Sequence, residues 1–325
     1  MKGLTDIAGI RVGHATDLKA ITGCTAILCD GGAIGGCYIG GAATGTSELA
    51  TLDPGHVTDR VHAIVLSGGS AFGLASGDGV RRYLESKGEG FQTSAARVPI
   101  VVTAILYDLA IGRADVRPTR ETGEAAAGAA SDKAVEEGSV GAGTGATVGK
   151  VLGLSQAMKG GVGSYSTTLG GAHSGIVVAA LAVTNSFGDV RDPGAGGAIV
   201  AGARKPGASA ARIEFADSAA VLQAGPPSRT PFRENTTLAV VATNAQLTKV
   251  EASRLAQMAQ AGMSRAISPV FTMYDGDIVF ALSKGTAKGD INVLGAAAAE
   301  VLARAIVRSV RMAKTLGGIP GLAKS

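Results

Sequence analysis

The stretch Glu234-Asn235-Thr236-Thr237 places a hydroxyl where it could do chemistry. A segment rich in Ala, Gly, Pro and Ser, 201–233, runs directly into it, and the apolar series Leu238-Ala239-Val240-Val241 follows. A threonine hydroxyl is a poor nucleophile until a base is held beside it. If the Asn235–Thr236 peptide bond breaks, the residue supplies its own base. The freed α-amine of Thr236, with an ordinary pKa of about 7.7–8.0, is partly unprotonated near neutrality. This is the Thr–N-terminus form of the nucleophile–base pair, and it needs no histidine. The same residues also fit plain β-branched strand positions.

Three further stretches offer partners. Residues 270–280 read as a β-hairpin closed by a tight Asp275-Gly276 turn. Asp275 and Asp277 are then either turn chemistry or a pair of carboxylates that orients and charge-stabilises an ammonium or a lysine. Gly141 to Lys150 looks like a phosphate-cradling loop, but Val151 follows Lys150 where such a loop needs Ser or Thr. The glycines instead let backbone approach a buried centre and deliver Lys150 into it. Asn185 closes the apolar run Ala182-Val183-Thr184 and suits an oxyanion donor, with Tyr107, after the run 100–106, as a second. Each is equally a structural polar residue at a strand end.

These residues need a scaffold, and its elements are readable. Apolar runs predict strands at 7–12, 25–29, 62–66, 100–106, 174–184, 237–243 and 277–282, several continuous enough to be covered on both faces. Helices are predicted over 73–87, 123–137, 248–266 and 291–316. The third opens with Thr248 and Glu251 at capping-box spacing. Connectors fall at 30–46, 138–149, 160–173 and 201–233, the last reading as a mobile surface loop. No repeat of fixed period is present. Interleaved strands and helices imply an α/β layered domain. A doubly wound sheet and a four-layer sandwich both fit at this point.

Composition narrows the classes. The 325 residues, 46% hydrophobic, are enough for a sizeable core, with 49 Gly, no Trp and 4% aromatic residues. The net charge of +4 comes from scattered Lys and Arg without interleaved aromatics, which argues against nucleic acid as a partner. Cys24, Cys29 and Cys37 and the four dispersed histidines match no common zinc spacing. The first residues, MKGLTDIAGIRVGHATD, carry acidic and polar groups where a signal peptide needs an apolar run. No stretch offers the roughly 18 apolar residues of a membrane span. The expectation is a cytoplasmic protein with reduced thiols, no metal and no cofactor.

Taken together, Asn235-Thr236-Thr237 through Thr243-Asn244, Met263-Ser264-Arg265, Asp275-Gly276-Asp277, the glycine-rich turn Leu66 to Leu74, Tyr107-Asp108, Gly141 to Lys150 and Asn185 resemble the L-aminopeptidase/D-esterase family of self-processing hydrolases. Within it they look most like the 6-aminohexanoate-oligomer hydrolase branch. The resemblance spans nearly the whole chain. It implies an α/β fold of four αββα layers like that of N-terminal-nucleophile hydrolases. It also implies one hydrolase domain cut into residues 1–235 and 236–325, and homo-oligomers, commonly tetramers, of the resulting pairs. Thr236 would be the nucleophile, with Lys150, Asn185, Tyr107, Asp275 and Asp277 around it and a small amide or short peptide as substrate. Relatives acting on α- or β-peptides often carry Ser as nucleophile and a Ser/Glu pair at the two aspartate positions, so Thr236 with Asp275 and Asp277 tilts the expectation toward ω-amino amides. A glutamate N-acetyltransferase, which also cuts itself at a Thr, is the alternative on the same type of fold.

Overall fold

The computed structural model of the protein describes residues 2–207, 213–225 and 235–324. Its main strands are β1 (Ile10–Asp17), β2 (Thr22–Ile39), β3 (Gly45–Ser47), β4 (Arg60–Ser67), β5 (Val101–Ile105), β6 (Gly161–Thr168), β7 (Val177–Asn185), β8 (Thr236–Ala245) and β9 (Ile278–Ala287). They lie in the order β6-β7-β8-β9-β2-β4-β5-β3, with β1 also paired to β2. The long helices are α1 (Ser76–Ser86), α2 (Arg120–Gly128), α3 (Lys249–Ala266) and α4 (Ile291–Arg311).

One strand serves both halves of this arrangement. Residues 22–29 of β2 pair with β1, while residues 34–39 pair with β9. Between them the register against β4 shifts, from Leu28 to Ala33. Gly31 and Gly32 supply the positive φ this irregularity requires, which is why a glycine-rich stretch that suggested a connector at 30–46 is largely strand.

The strands' period-2 alternation sorts their side chains into three cores. On β7, Val178, Ala180 and Ala182 pack with Leu255, Met263 and Leu302 of α3 and α4. The intervening Ala179, Leu181 and Val183 face a central core shared with Ile27, Ile64, Leu66 and Val102 of the other half. There, Ala63 and Val65 turn outward onto Val80, Leu84 and Ala126 of α1 and α2. Helices, sheet, sheet and helices follow in that order, so the architecture is the four-layer αββα sandwich.

Local chemistry fixes the helix starts. Thr248 Oγ1 accepts from Glu251 N at 3.2 Å and Glu251 Oε2 accepts from Thr248 N at 2.8 Å, the expected capping box of α3. Asp290 caps α4 by accepting from Asn292 N. The glycine-rich 66–74 turn forms a 3-10 segment, Ser70–Ala75, ahead of α1. Helix α2 stops at Gly128, short of the predicted 137, because the chain turns back to pair Ser131 with Val12.

Two other expectations are corrected. Residues 160–173 are mostly strand, since β6 pairs with β7 along its length. Its glycines serve packing rather than turning: a Cβ on Gly163 would lie 2.1 Å from the Ala305 carbonyl oxygen of α4. Residues 270–280 do not form a hairpin, because β9 is held parallel by β8 and antiparallel by β2, leaving no edge for a local partner. Within 201–233, Ser218–Gln223 is a short helix capped by Asp217 and Arg204 bridges to Phe215. Residues 208–212 and 226–234 of that predicted mobile loop lie outside the described residues. Among the described residues, no helix is long and apolar enough to cross a membrane.

Phe280 is fully buried in the central core shared by both halves. Phe280→Ala is expected to lower unfolding free energy by about 3–5 kcal/mol. Urea unfolding followed by circular dichroism tests this.

Candidate active site

Thr236 opens β8 directly opposite Asn185, the last residue of β7. Residues so paired point to the same face with Cβ atoms about 4.5–5.5 Å apart. Asn235, Thr236 and Asn185 are all buried. The Thr236 hydroxyl donates to the Asn235 carbonyl oxygen at 2.5 Å, and Gly276 N–H donates to that same oxygen at 2.7 Å. Two donors on one carbonyl draw electron density off its carbon, beside a hydroxyl oxygen. The junction is held from the other side as well, since both Asn235 N and its Nδ2 donate to the Tyr274 carbonyl, at 3.0 and 3.1 Å. Gly276 has no space for a side chain: a Cβ would lie 2.6 Å from the Ala43 carbonyl oxygen and 2.9 Å from Thr236 Oγ1.

The two aspartates fix backbone around this junction. Asp277 Oδ1 accepts from Thr237 N at 2.5 Å and its Oδ2 from Phe271 N at 3.3 Å. Asp275 accepts from Phe187 N at 3.1 Å and from the Thr272 hydroxyl at 2.5 Å. Burial holds both carboxyls above the usual carboxylate range. The charge of Asp275 raises Asp277 further, while the nearby Lys150 ammonium pulls Asp275 back.

Lys150 is buried and donates to Asn185 twice, to its backbone oxygen at 3.0 Å and to Oδ1 at 2.9 Å. Thr147 N donates to the same Oδ1 at 3.0 Å, and Asn185 Nδ2 donates to the Tyr107 carbonyl at 3.1 Å. A narrow cleft of only about 10 Å³ reaches Lys150, lined also by Tyr107, Asp108, Ile111, Thr147 and Leu154. Larger grooves beside Tyr165 and beside Met258 contain none of the six residues expected to act. The cysteines are poor nucleophile candidates: Cys24 and Cys29 are buried, and burial pushes their thiols up to about 12.

The fold thus brings Thr236, Lys150, Asn185, Tyr107, Asp275 and Asp277 into one neighbourhood from five separate segments. It adds groups that sequence reading missed. The amides of Gly276 and Thr147 act through backbone, which no residue type announces. Lys159, buried and bonded to the Thr144 and Ala146 carbonyls, sits beside a glycine-rich stretch. A lone charge in an otherwise apolar run was its only signal. A hydroxyl beside a doubly hydrogen-bonded carbonyl, with a lysine and two high-pKa carboxyls close by, is equipped for acyl transfer.

Comparison with known proteins points to a family of peptidases. The profile of peptidase family S58 matches residues 2–323. The chain is 39% identical to an uncharacterized aminopeptidase of Mycobacterium tuberculosis, across 98% of this chain and 96% of that protein. It is 30% identical to a 6-aminohexanoate-oligomer endohydrolase of Kocuria sp., across 94% and 85% respectively. Two solved structures share the fold. The L-aminopeptidase D-Ala-esterase/amidase of Ochrobactrum anthropi, described as a variant of the Ntn hydrolase fold, gives a TM-score of 0.74 at 20% identity over 98% of this chain and 88% of that one. A Burkholderia sp. beta-aminopeptidase gives 0.70 at 23% identity over 99% and 91%.

The aspartate pair carries a pH signature. Because burial raises the Asp277 carboxyl above its usual 3.8, the folded state binds a proton the unfolded state has lost. The contribution to stability is complete below 3.8 and falls as pH rises through the folded-state value. Asp277→Asn, unable to ionise, is expected to flatten the decline in stability from pH 4 upward. Urea midpoints of both proteins across pH 4–9 measure the two slopes.

Proposed function

Because this chain belongs to peptidase family S58, we propose that it hydrolyses amide bonds with Thr236 as nucleophile, after cutting its own Asn235–Thr236 bond. The observation that carries the reading is the Asn235 carbonyl, bound at once by the Thr236 hydroxyl and by Gly276 N–H. In the proposed maturation, Thr236 Oγ gives up its proton, which ends on the Thr236 nitrogen, as it adds to that carbonyl carbon while Gly276 N–H stabilises the developing oxyanion. The C–N bond breaks as the nitrogen takes up that proton, leaving an ester between Asn235 and Oγ. Water then hydrolyses it to an Asn235 carboxylate and a free Thr236 hydroxyl and α-amine.

In turnover the α-amine takes the proton of Oγ as the hydroxyl attacks the substrate carbonyl. The leaving amine departs protonated, and water releases the acyl group. Lys150, joined to Asn185 and close to the charge of Asp275, shares in proton transfer. Asn185 Nδ2, one residue across the sheet from Thr236, turns from the Tyr107 carbonyl to the substrate oxyanion. Asp277 keeps Thr237 and so the Thr236 backbone in place.

Small amino-acid amides, short peptides and ω-amino-acid oligomers are the proposed substrates, a range supported by the names of the aminopeptidase and 6-aminohexanoate-oligomer endohydrolase relatives. The cut would leave one domain: β8 of the second fragment lies between β7 of the first and β9, and β9 pairs with β2 of the first. The proposal extends to a cytoplasmic homotetramer of such pairs that works without metal or cofactor.

Intact mass spectrometry tests the maturation step. Wild type should give residues 1–235 and 236–325, while Thr236→Ala should remain a single 32.1 kDa chain without activity on amino-acid p-nitroanilides or 6-aminohexanoate oligomers. Full activity from a preparation whose Asn235–Thr236 bond is intact would refute the reading. Gly276→Ala, which crowds Thr236 Oγ1, should slow the cut visibly in a time course on denaturing gels. Asn185→Ala should lower kcat by about 10²–10³-fold in the same p-nitroanilide assay, as loss of one oxyanion donor does.

A further inference from the structure

A second lysine lies behind the first and takes no part in the steps above. Lys159 is buried, with 1% of its surface exposed, in the two-residue strand Met158–Lys159 that pairs Lys159 with Thr147. Its Nζ donates to the Thr144 and Ala146 carbonyls, each at 2.7 Å. Against that turn stands Asp108, itself buried, which accepts from the Thr22 hydroxyl and from Gly69 N. Gly145 is pressed so closely on Asp108 that a Cβ would lie 2.4 Å from Asp108 Cβ. The turn therefore touches both Lys159, through its carbonyls, and Asp108, through Gly145. The next residue along is Thr147, whose N–H meets Asn185 Oδ1, and three further on is Lys150, whose ammonium meets the same atom.

The geometry points to Lys159 as a positioning residue that, by clamping the Thr144–Ala146 turn against Asp108, sets Thr147 N–H and the Lys150 ammonium on their common acceptor Asn185 Oδ1. A buried ammonium is costly to keep, and an apolar side chain of similar length would fill the same space at less cost. What the apolar side chain lacks is a grip on two carbonyls and a positive charge beside Lys150. The two lysines repel: burial chiefly, and the Lys150 charge in addition, push Lys159 down to about 7, against the pull of Asp108. Such repulsion is reciprocal, so Lys159 also disfavours the charged form of Lys150.

The inference rests on the proposed participation of Lys150, and the experiment separates the two. Processed wild type, Lys150→Ala and Lys159→Met are compared in kcat and KM on an amino-acid p-nitroanilide between pH 5 and 10. Lys159→Met is expected to lose about 10–100-fold in kcat with KM within about twofold, the scale of a displaced catalytic group. The limb of its pH–rate profile on which an amine loses its proton should move up by roughly one unit, because Lys150 has lost a like charge. Wild-type kcat and profile in Lys159→Met would overturn the inference, and so would a lower kcat with an unmoved limb, since a merely structural lysine gives that. Wild-type kinetics in Lys150→Ala would instead remove the reading beneath it. Should Lys159→Met not fold, Lys159→Gln, which keeps an N–H donor and drops the charge, is judged by the same limb.

Discussion

Two hydrogen bonds converge on the Asn235 carbonyl, one from the hydroxyl of the next residue and one from the Gly276 amide, and the fold is built so that neither can drift. Strand β8 begins at Thr236 and is held along both edges, antiparallel by β7 and parallel by β9. Its two faces are buried in different cores, Leu238 and Val240 inward and Ala239 and Val241 toward the α3–α4 layer. A slip of one residue would exchange those faces, which fixes the register and with it the placing of Thr236 against Asn185. The turn carrying Gly276 leads straight into β9, so the strand pairing that fixes the hydroxyl also fixes the amide.

The same arrangement gathers charges in the buried interior. Asp108, Asp275 and Asp277 are buried with Lys150 and Lys159, a grouping that a protein selected for stability alone would replace with hydrocarbon. Each carboxylate is engaged by backbone amides or hydroxyls, and each lysine by carbonyl oxygens. Paired in this way, the groups keep fixed orientations, and Asp108, Asp275, Asp277 and Lys159 keep displaced pKa values, which is what acid–base work near neutrality calls for.

Glycine is the residue whose local signal departs furthest from its place in the fold. At 30–46 and 160–173 it suggested connectors, whereas Gly31 and Gly32 relieve an irregularity within β2, and Gly163 lets β6 approach α4. A missing side chain reports that space is short or that φ is positive, and the partner that makes it so is distant in sequence. The Asp275-Gly276-Asp277 turn misled for the same reason. Locally it resembles a hairpin, but both hydrogen-bonding edges of β9 are claimed by strands that begin 40 and more than 200 residues earlier.

The sequence by itself determined the alternation that buries β7, β8 and β9 on both faces, the capping box of α3, and the identity of the chemically able side chains Thr236, Lys150, Asn185, Tyr107, Asp275 and Asp277. Those follow from side-chain type and short-range spacing, which the chain carries locally. Only the tertiary structure decided that Asn185 faces Thr236, that Lys150 reaches Asn185 rather than a phosphate, and that Lys159 stands behind it. Backbone amides such as those of Gly276 and Thr147 are identical at nearly every residue, so their direction is set by the fold alone.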